Sequence, residues 1–182
     1  MLEVFQLAVR LKLNLRRGSL AREVVALLNS GYEADTPQLL IPAGLAKEFG
    51  LWPPPIEAIE TVFNTAGGPL KVWIIAGAAE ACVMAGDASS RETTVDLVIS
   101  PIADEPLISD MLAGRLEIAV EDFAEGLWRF RWEPKEKVRG SAKPSLNCGI
   151  SQAGRGLGTR DLSSADPIWG QILNLEYYYL SH

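Results

Sequence analysis

The stretch from residue 24 to residue 42 limits what this chain can fold into more than any other. Five apolar residues in a row, Val24-Val25-Ala26-Leu27-Leu28, stop at the polar tripeptide Asn29-Ser30-Gly31. The chain stays polar through Tyr32-Glu33-Ala34-Asp35-Thr36-Pro37-Gln38, then turns apolar again at Leu39-Leu40-Ile41 and meets Pro42. A short unbroken apolar run with β-branched members has the signature of a strand buried on both faces. Gly31 can adopt backbone angles closed to other residues, and Pro42 suits the first position of a helix. Leu45 and Phe49 then fall four apart, on one helix face, and Gly50 supplies the stop. A polar elbow on the end of a buried strand is either a plain turn or a platform where a rigid element holds chemistry.

The surrounding sequence is that of strands. Val9, Leu11, Leu13 and Leu15 alternate with Arg10, Lys12, Asn14 and Arg16, the period of a strand with one wet face. Arg17-Gly18-Ser19 turns this strand into a return strand over residues 21–28. Trp52-Pro53-Pro54-Pro55 reads as a stiff extended connector. Residues 59–63 and 70–75 flank Thr65-Ala66-Gly67-Gly68 as a hairpin, and residues 79–84 and 93–99 form two further strands around a turn at 86–90. Ser109 is placed to cap a second helix, with Asp110 at its positive end and Gly114 at its stop. Leu116, Ile118 and Val120, and then Trp128, Phe130 and Trp132, alternate with polar residues on either side of a Glu125-Gly126 turn.

The bulk numbers exclude several classes of function. A chain of 182 residues with 48% hydrophobic content supports one domain, or one domain and a tail. The net charge of −6 argues against nucleic acid or an anionic membrane as the main partner. Residues 1–133 carry 11 basic and 19 acidic residues, and 134–182 carry 6 and 4, so the acidity belongs to the first part. The single histidine, His182, removes Ser-His-Asp and Cys-His mechanisms. Cys82 and Cys148 form neither a disulfide framework nor part of a metal-ligand cluster, so neither metal nor cofactor is implied. With no secretory signal and no apolar run able to span a bilayer, the expected location is cytoplasmic. Residues 134–182 read as a low-complexity tail: 135–139 are charged, 140–159 are rich in Gly, Ser and Ala without periodicity, and Gly154-Arg155-Gly156-Leu157-Gly158 reads as linker and not as a phosphate loop.

Apolar strand, Asn29-Ser30-Gly31, polar residues with Thr36, apolar pair, Pro42 and short helix together resemble the active-site segment of retropepsin-like aspartic proteases. The resemblance covers roughly residues 1–133. It implies a mainly β, closed-barrel-like single lobe with two short helices, built as a two-part repeat and paired into a homodimer. It implies that the hairpin bearing Gly67 and Gly68 is a flap over bound peptide. By the same resemblance Ser30, Gly31, Glu33, Thr36 and Asp110 lie along a peptide cleft. Where the family carries a glycine before its second helix, Ile108-Ser109-Asp110-Met111-Leu112 has none. Asn29 stands where the family carries its catalytic aspartate.

That exchange decides the chemistry. Such proteases use two carboxylates about 3 Å apart that share one proton, one acting as base on water while the other donates to the peptide carbonyl. A carboxamide has no acidic proton to relay and is not basic at neutral pH. Three expectations follow. The chain is a non-hydrolytic homologue that binds an extended peptide or unfolded protein segment; or it is a working aspartic-type endopeptidase using Asp35, Glu33 or Asp110; or it is a structural dimer with a vestigial cleft.

Overall fold

The computed structural model describes residues 8–144, so expectations for Cys148, His182 and the rest of the 145–182 segment lie outside the described residues. The fold is mainly β. Strand β1 (Arg10–Arg17) and β2 (Leu20–Leu28) form the first hairpin, turned at Gly18 with φ 58°. Strand β3 (Gln38–Pro42) leads directly into helix α1 (Ala43–Glu48), with Pro42 at its cap rather than inside it. Next come β4 (Ile59–Thr65), β5 (Gly68–Val83), β6 (Thr93–Ser100) and the two-residue β7 (Leu107–Ile108). Helix α2 (Asp110–Arg115), β8 (Ile118–Asp122), β9 (Leu127–Phe130) and β10 (Arg139–Gly140) complete the order.

Seven strands form one mixed sheet in the order β1-β2-β7-β3-β6-β5-β4, and β5 also pairs with β1, which closes six of them into a ring. The two strands expected over 70–75 and 79–84 are a single strand, β5. Its register against β6 shifts between Ile75 and Ala79, around Gly77 at φ 54°. The strand survives the break because its pairing changes: β4 holds its outer part and β1 its inner part, while β6 runs along both. Trp132 lies beyond the end of β9, since the chain turns at Arg131, whose N–H donates to Glu117 O. Its ring instead stacks on Phe130, with centroids 4.3 Å apart.

Two halves of the chain interlock. β2, the elbow, β3 and α1 make one sequence of elements; β6, a loop, β7 and α2 make the second. β2 runs parallel to β7 and β3 parallel to β6, so each half lends a strand to the other. β3 and β6 are buried on both faces, as an unbroken apolar run requires. Leu39, Ile41, Leu97 and Ile99 point into the main core with Leu11, Leu13, Phe49 and Phe130. Leu40 and Val98 point the other way, into a small cluster with Val72 beneath Tyr32, Phe63 and Ile74. Burying each such side chain contributes about 1.5–3 kcal/mol.

Residues past 133 belong to the packed structure as far as Ala142, whose N–H donates to Arg10 O. β10 pairs with β9, and Arg139 lies over the rings of Trp128 and Phe130, 5.5 and 5.2 Å from their centroids. Arg139 Nη2 donates to Glu133 Oε1 at 2.7 Å and to Asp87 Oδ2 at 2.9 Å, and Lys137 reaches both carboxylates at 2.8 Å. The Glu133 side chain is 7% exposed. Hydrogen bonds from Arg139 first, and from Lys137, hold its carboxyl down at about 2, and the same cations hold Asp87 well below the usual carboxylate range.

Candidate functional site

The elbow is held by backbone and short polar side chains. Asn29 directly follows β2; its N–H donates to Ile108 O at 3.2 Å, fastening it to β7. Its side-chain Oδ1 accepts from Gly31 N at 3.0 Å and its carbonyl from Tyr32 N at 3.1 Å. Gly31 does not take the left-handed backbone that its position suggested; this hydrogen bond shapes the turn instead. Asn29 is half-buried, while Ser30 and Gly31 are exposed.

Asp110, at the start of α2, closes the elbow loop from the other side. Its N–H donates to Tyr32 O at 3.0 Å, and its Oδ1 accepts from Ala34 N at 3.0 Å and Met111 N at 2.6 Å. Ser109, fully buried, caps the helix by accepting from Leu112 N at 3.2 Å and also accepts from Gln38 N at 3.2 Å. One short segment therefore caps a helix and pins both ends of the loop.

Between this loop and the β4–β5 hairpin lies an open groove of about 590 Å³. Glu33, Ala34, Asp35, Gln38 and Asp110 line one wall; Thr61, Phe63 and Ile74 line the other. Glu33, Asp35 and Asp110 are exposed, and none of them makes an ion pair among the described residues. Among the described residues, no lysine or arginine lines the groove. It is thus an acidic channel with an aromatic and aliphatic floor.

The structure brings together Glu33, Asp35 and Asp110 at the groove, while the remaining expected site residues do not line it. Asn29, Ser30 and Gly31 sit outside the groove lining. Gly67 and Gly68 form the hairpin tip beyond it, closed by Thr65 Oγ1 donating to Gly68 O at 2.7 Å. Thr36 is engaged elsewhere, its hydroxyl donating to Asp96 Oδ2 at 2.6 Å. No family model matches the chain, and no curated protein matches it.

Sequence reasoning missed Asp96, Tyr32 and Gln38. Asp96 Oδ1 accepts from Gly77 N at 2.7 Å, so one carboxylate ties the elbow loop, through Thr36, to the irregular point of β5. Its signal was available: it is the single charge inside the apolar run Val95 to Ile99. The Tyr32 hydroxyl donates to Gln38 Oε1 at 2.8 Å, and its ring lies 6.0 Å from that of Phe63. Burial, and then the nearby Asp96, push the Tyr32 phenol well above its ordinary value, so it remains a neutral donor. Among the described residues, no group of three or more His, Cys, Asp or Glu side chains is arranged to hold a metal ion.

Proposed function

We propose that this chain is a retropepsin-like lobe that binds an extended peptide segment without cleaving it, completed by a second copy. The observation that carries this reading is Asn29, a carboxamide just past the end of β2, whose N–H donates to Ile108 of β7 in the interlocked second half of the sheet. The ring of six strands and the parallel β2–β7 and β3–β6 pairs support kinship with the pepsin-like lobe. Facing carboxamides from two copies would hydrogen-bond without the repulsion that two carboxylates suffer, and would hold no proton to relay. The groove supplies what peptide binding asks for: a hairpin on one side, apolar floor residues Phe63 and Ile74, and polar groups that fix orientation.

The test is binding without turnover. A fluorescently labelled unfolded polypeptide should bind the full chain, be recovered intact, and lose affinity about tenfold or more on Phe63→Ala. Binding indifferent to Phe63, or absent, counts against the reading.

A second reading, an active endopeptidase, is favoured by the juxtaposition of Glu33, Asp35 and Asp110 at one groove. Asp110 is the weakest of the three as a base, because its Oδ1 already accepts two backbone N–H groups. Cleavage by the wild type at acid pH, abolished by Asp35→Asn or Glu33→Gln, would establish this reading in place of the first.

A further inference from the structure

The chain carries its own candidate occupant for the groove. Of the residues beyond 144, only Arg155 and Arg160 are cationic besides His182, and both lie in the stretch Gly154-Arg155-Gly156-Leu157-Gly158-Thr159-Arg160. We infer that this segment occupies the groove as an internal pseudo-ligand, with Arg155 and Arg160 on the carboxylates of Glu33, Asp35 and Asp110 and Leu157 on Phe63 and Ile74. The inference rests on the proposed peptide-binding role of the same groove.

Three observations select this occupant. The first is charge: among the described residues the groove lining has three carboxylates and no cation, whereas the more apolar stretch at 168–180 carries one charge, the acidic Glu176. Like charges brought together in a groove repel, and opposite ones steer and hold.

The second is where the described chain ends. Ala142 N donates to Arg10 O at 2.8 Å, and Arg10 N donates to Ser141 Oγ at 2.8 Å. Arg10 is the register partner of Leu27, two residues before Asn29, so the chain departs on the elbow side of the first hairpin. The eleven steps from Pro144 to Arg155 reach roughly 36–40 Å when extended, against a radius of gyration of roughly 14 Å for a lobe of this size.

The third is shape. Glycines alternate with Arg155, Leu157 and Thr159. In an extended chain residues an odd number apart face opposite sides, so Leu157 and Arg160 would present an apolar group and a cation to opposite sides, matching a groove with an apolar wall and an acidic wall. Tethering then raises the local concentration to the order of millimolar, so a tethered segment whose own Kd is about 0.1 mM weakens the binding of any free peptide about tenfold.

The experiment uses the full chain and a labelled synthetic peptide copying residues 151–161. Wild type should bind this peptide at least tenfold more weakly than the full-length variant R155S/L157S/R160S, whose groove is vacated. Adding E33Q/D35N to that variant should remove the gain, and raised salt should weaken it. Equal binding by wild type and the triple variant overturns the inference, as does a gain that survives E33Q/D35N. An unrelated apolar peptide separates the two levels of the argument. If it binds both forms equally and depends on Phe63, peptide binding stands and the internal occupant falls. If neither peptide binds either form, both fall.

Discussion

The two ends of this lobe treat carboxylates in opposite ways. At the β8–β10 end, Glu133 and Asp87 are each met by Arg139 and Lys137, and Arg139 is itself laid over two aromatic rings. At the elbow, Glu33 and Asp35 face an open groove with no cation among the described residues to meet them. The first arrangement fastens a segment far along the chain to the sheet; the second leaves charge available to whatever enters. Placement of cations, rather than of acids, thus distinguishes the fastened end from the end proposed to bind peptide.

The largest effect that sharpens this contrast is expected at Phe130, which is fully buried between Trp128 and Trp132 beneath Arg139. Phe130→Ala should destabilise the protein by about 3–5 kcal/mol, read as a lowered midpoint in denaturant unfolding. Phe63→Ala in the half-buried groove floor should cost far less stability while weakening peptide binding. If the two substitutions destabilise equally, the contrast between the ends fails.

Acid should act selectively on the fastened end. The Glu133 carboxyl is held near 2 against an ordinary 4.5. A depressed carboxyl contributes stability that is fully present above about 4.5 and is lost as pH falls toward 2. The melting temperature of the wild type should therefore fall steeply through that window, and the Arg139→Gln profile should be flatter there. Parallel profiles would show that the fastening contributes little.

Smaller effects probe the elbow. Ser109→Ala removes the α2 cap and the acceptor for Gln38 N, and should cost roughly 2 kcal/mol. Gly77→Ala forces a side chain into backbone at φ 54°, where Thr94 Cγ2 would lie 3.7 Å away, and should cost about 1 kcal/mol. Both are measured by chemical denaturation. Asp96→Asn should change stability least and act instead on peptide affinity, by loosening Thr36 and Gly77 together.

The strands were legible wherever one face was wet, because alternation in β1, β8 and β9 is a local property. The capped α2 was legible for the same reason: its signals lie within a few residues. The strand expected to be buried on both faces was read at residues 24–28, where β2 instead alternates buried and half-buried residues, while the doubly buried β3 was not read as a strand. β7 was not, since Leu107–Ile108 is two residues long and exists only because β2 and β3 flank it. The continuity of β5 through Ala76-Gly77-Ala78 was hidden as well, because distant strands supply the pairing on either side of the break. At the site, the sequence pointed to the three groove acids but not to Asp96, whose partners lie 60 and 19 residues away. Lys137 and Arg139 read as a charged tail for a similar reason: the Arg139–Asp87 bond spans 52 residues.

Asn29 stands at the centre of the account, and one substitution tests it most directly. Asn29→Asp replaces a single nitrogen by oxygen in a side chain that already faces Gly31 N–H, so the fold should be retained. The variant should cleave unfolded protein with an acid optimum, be blocked by peptide mimics of the tetrahedral intermediate, and lose activity when dissociated to monomers. Wild type should show none of this. A folded, dimeric Asn29→Asp protein with no peptidase activity at any pH would contradict the claim that this residue occupies the position of a catalytic acid.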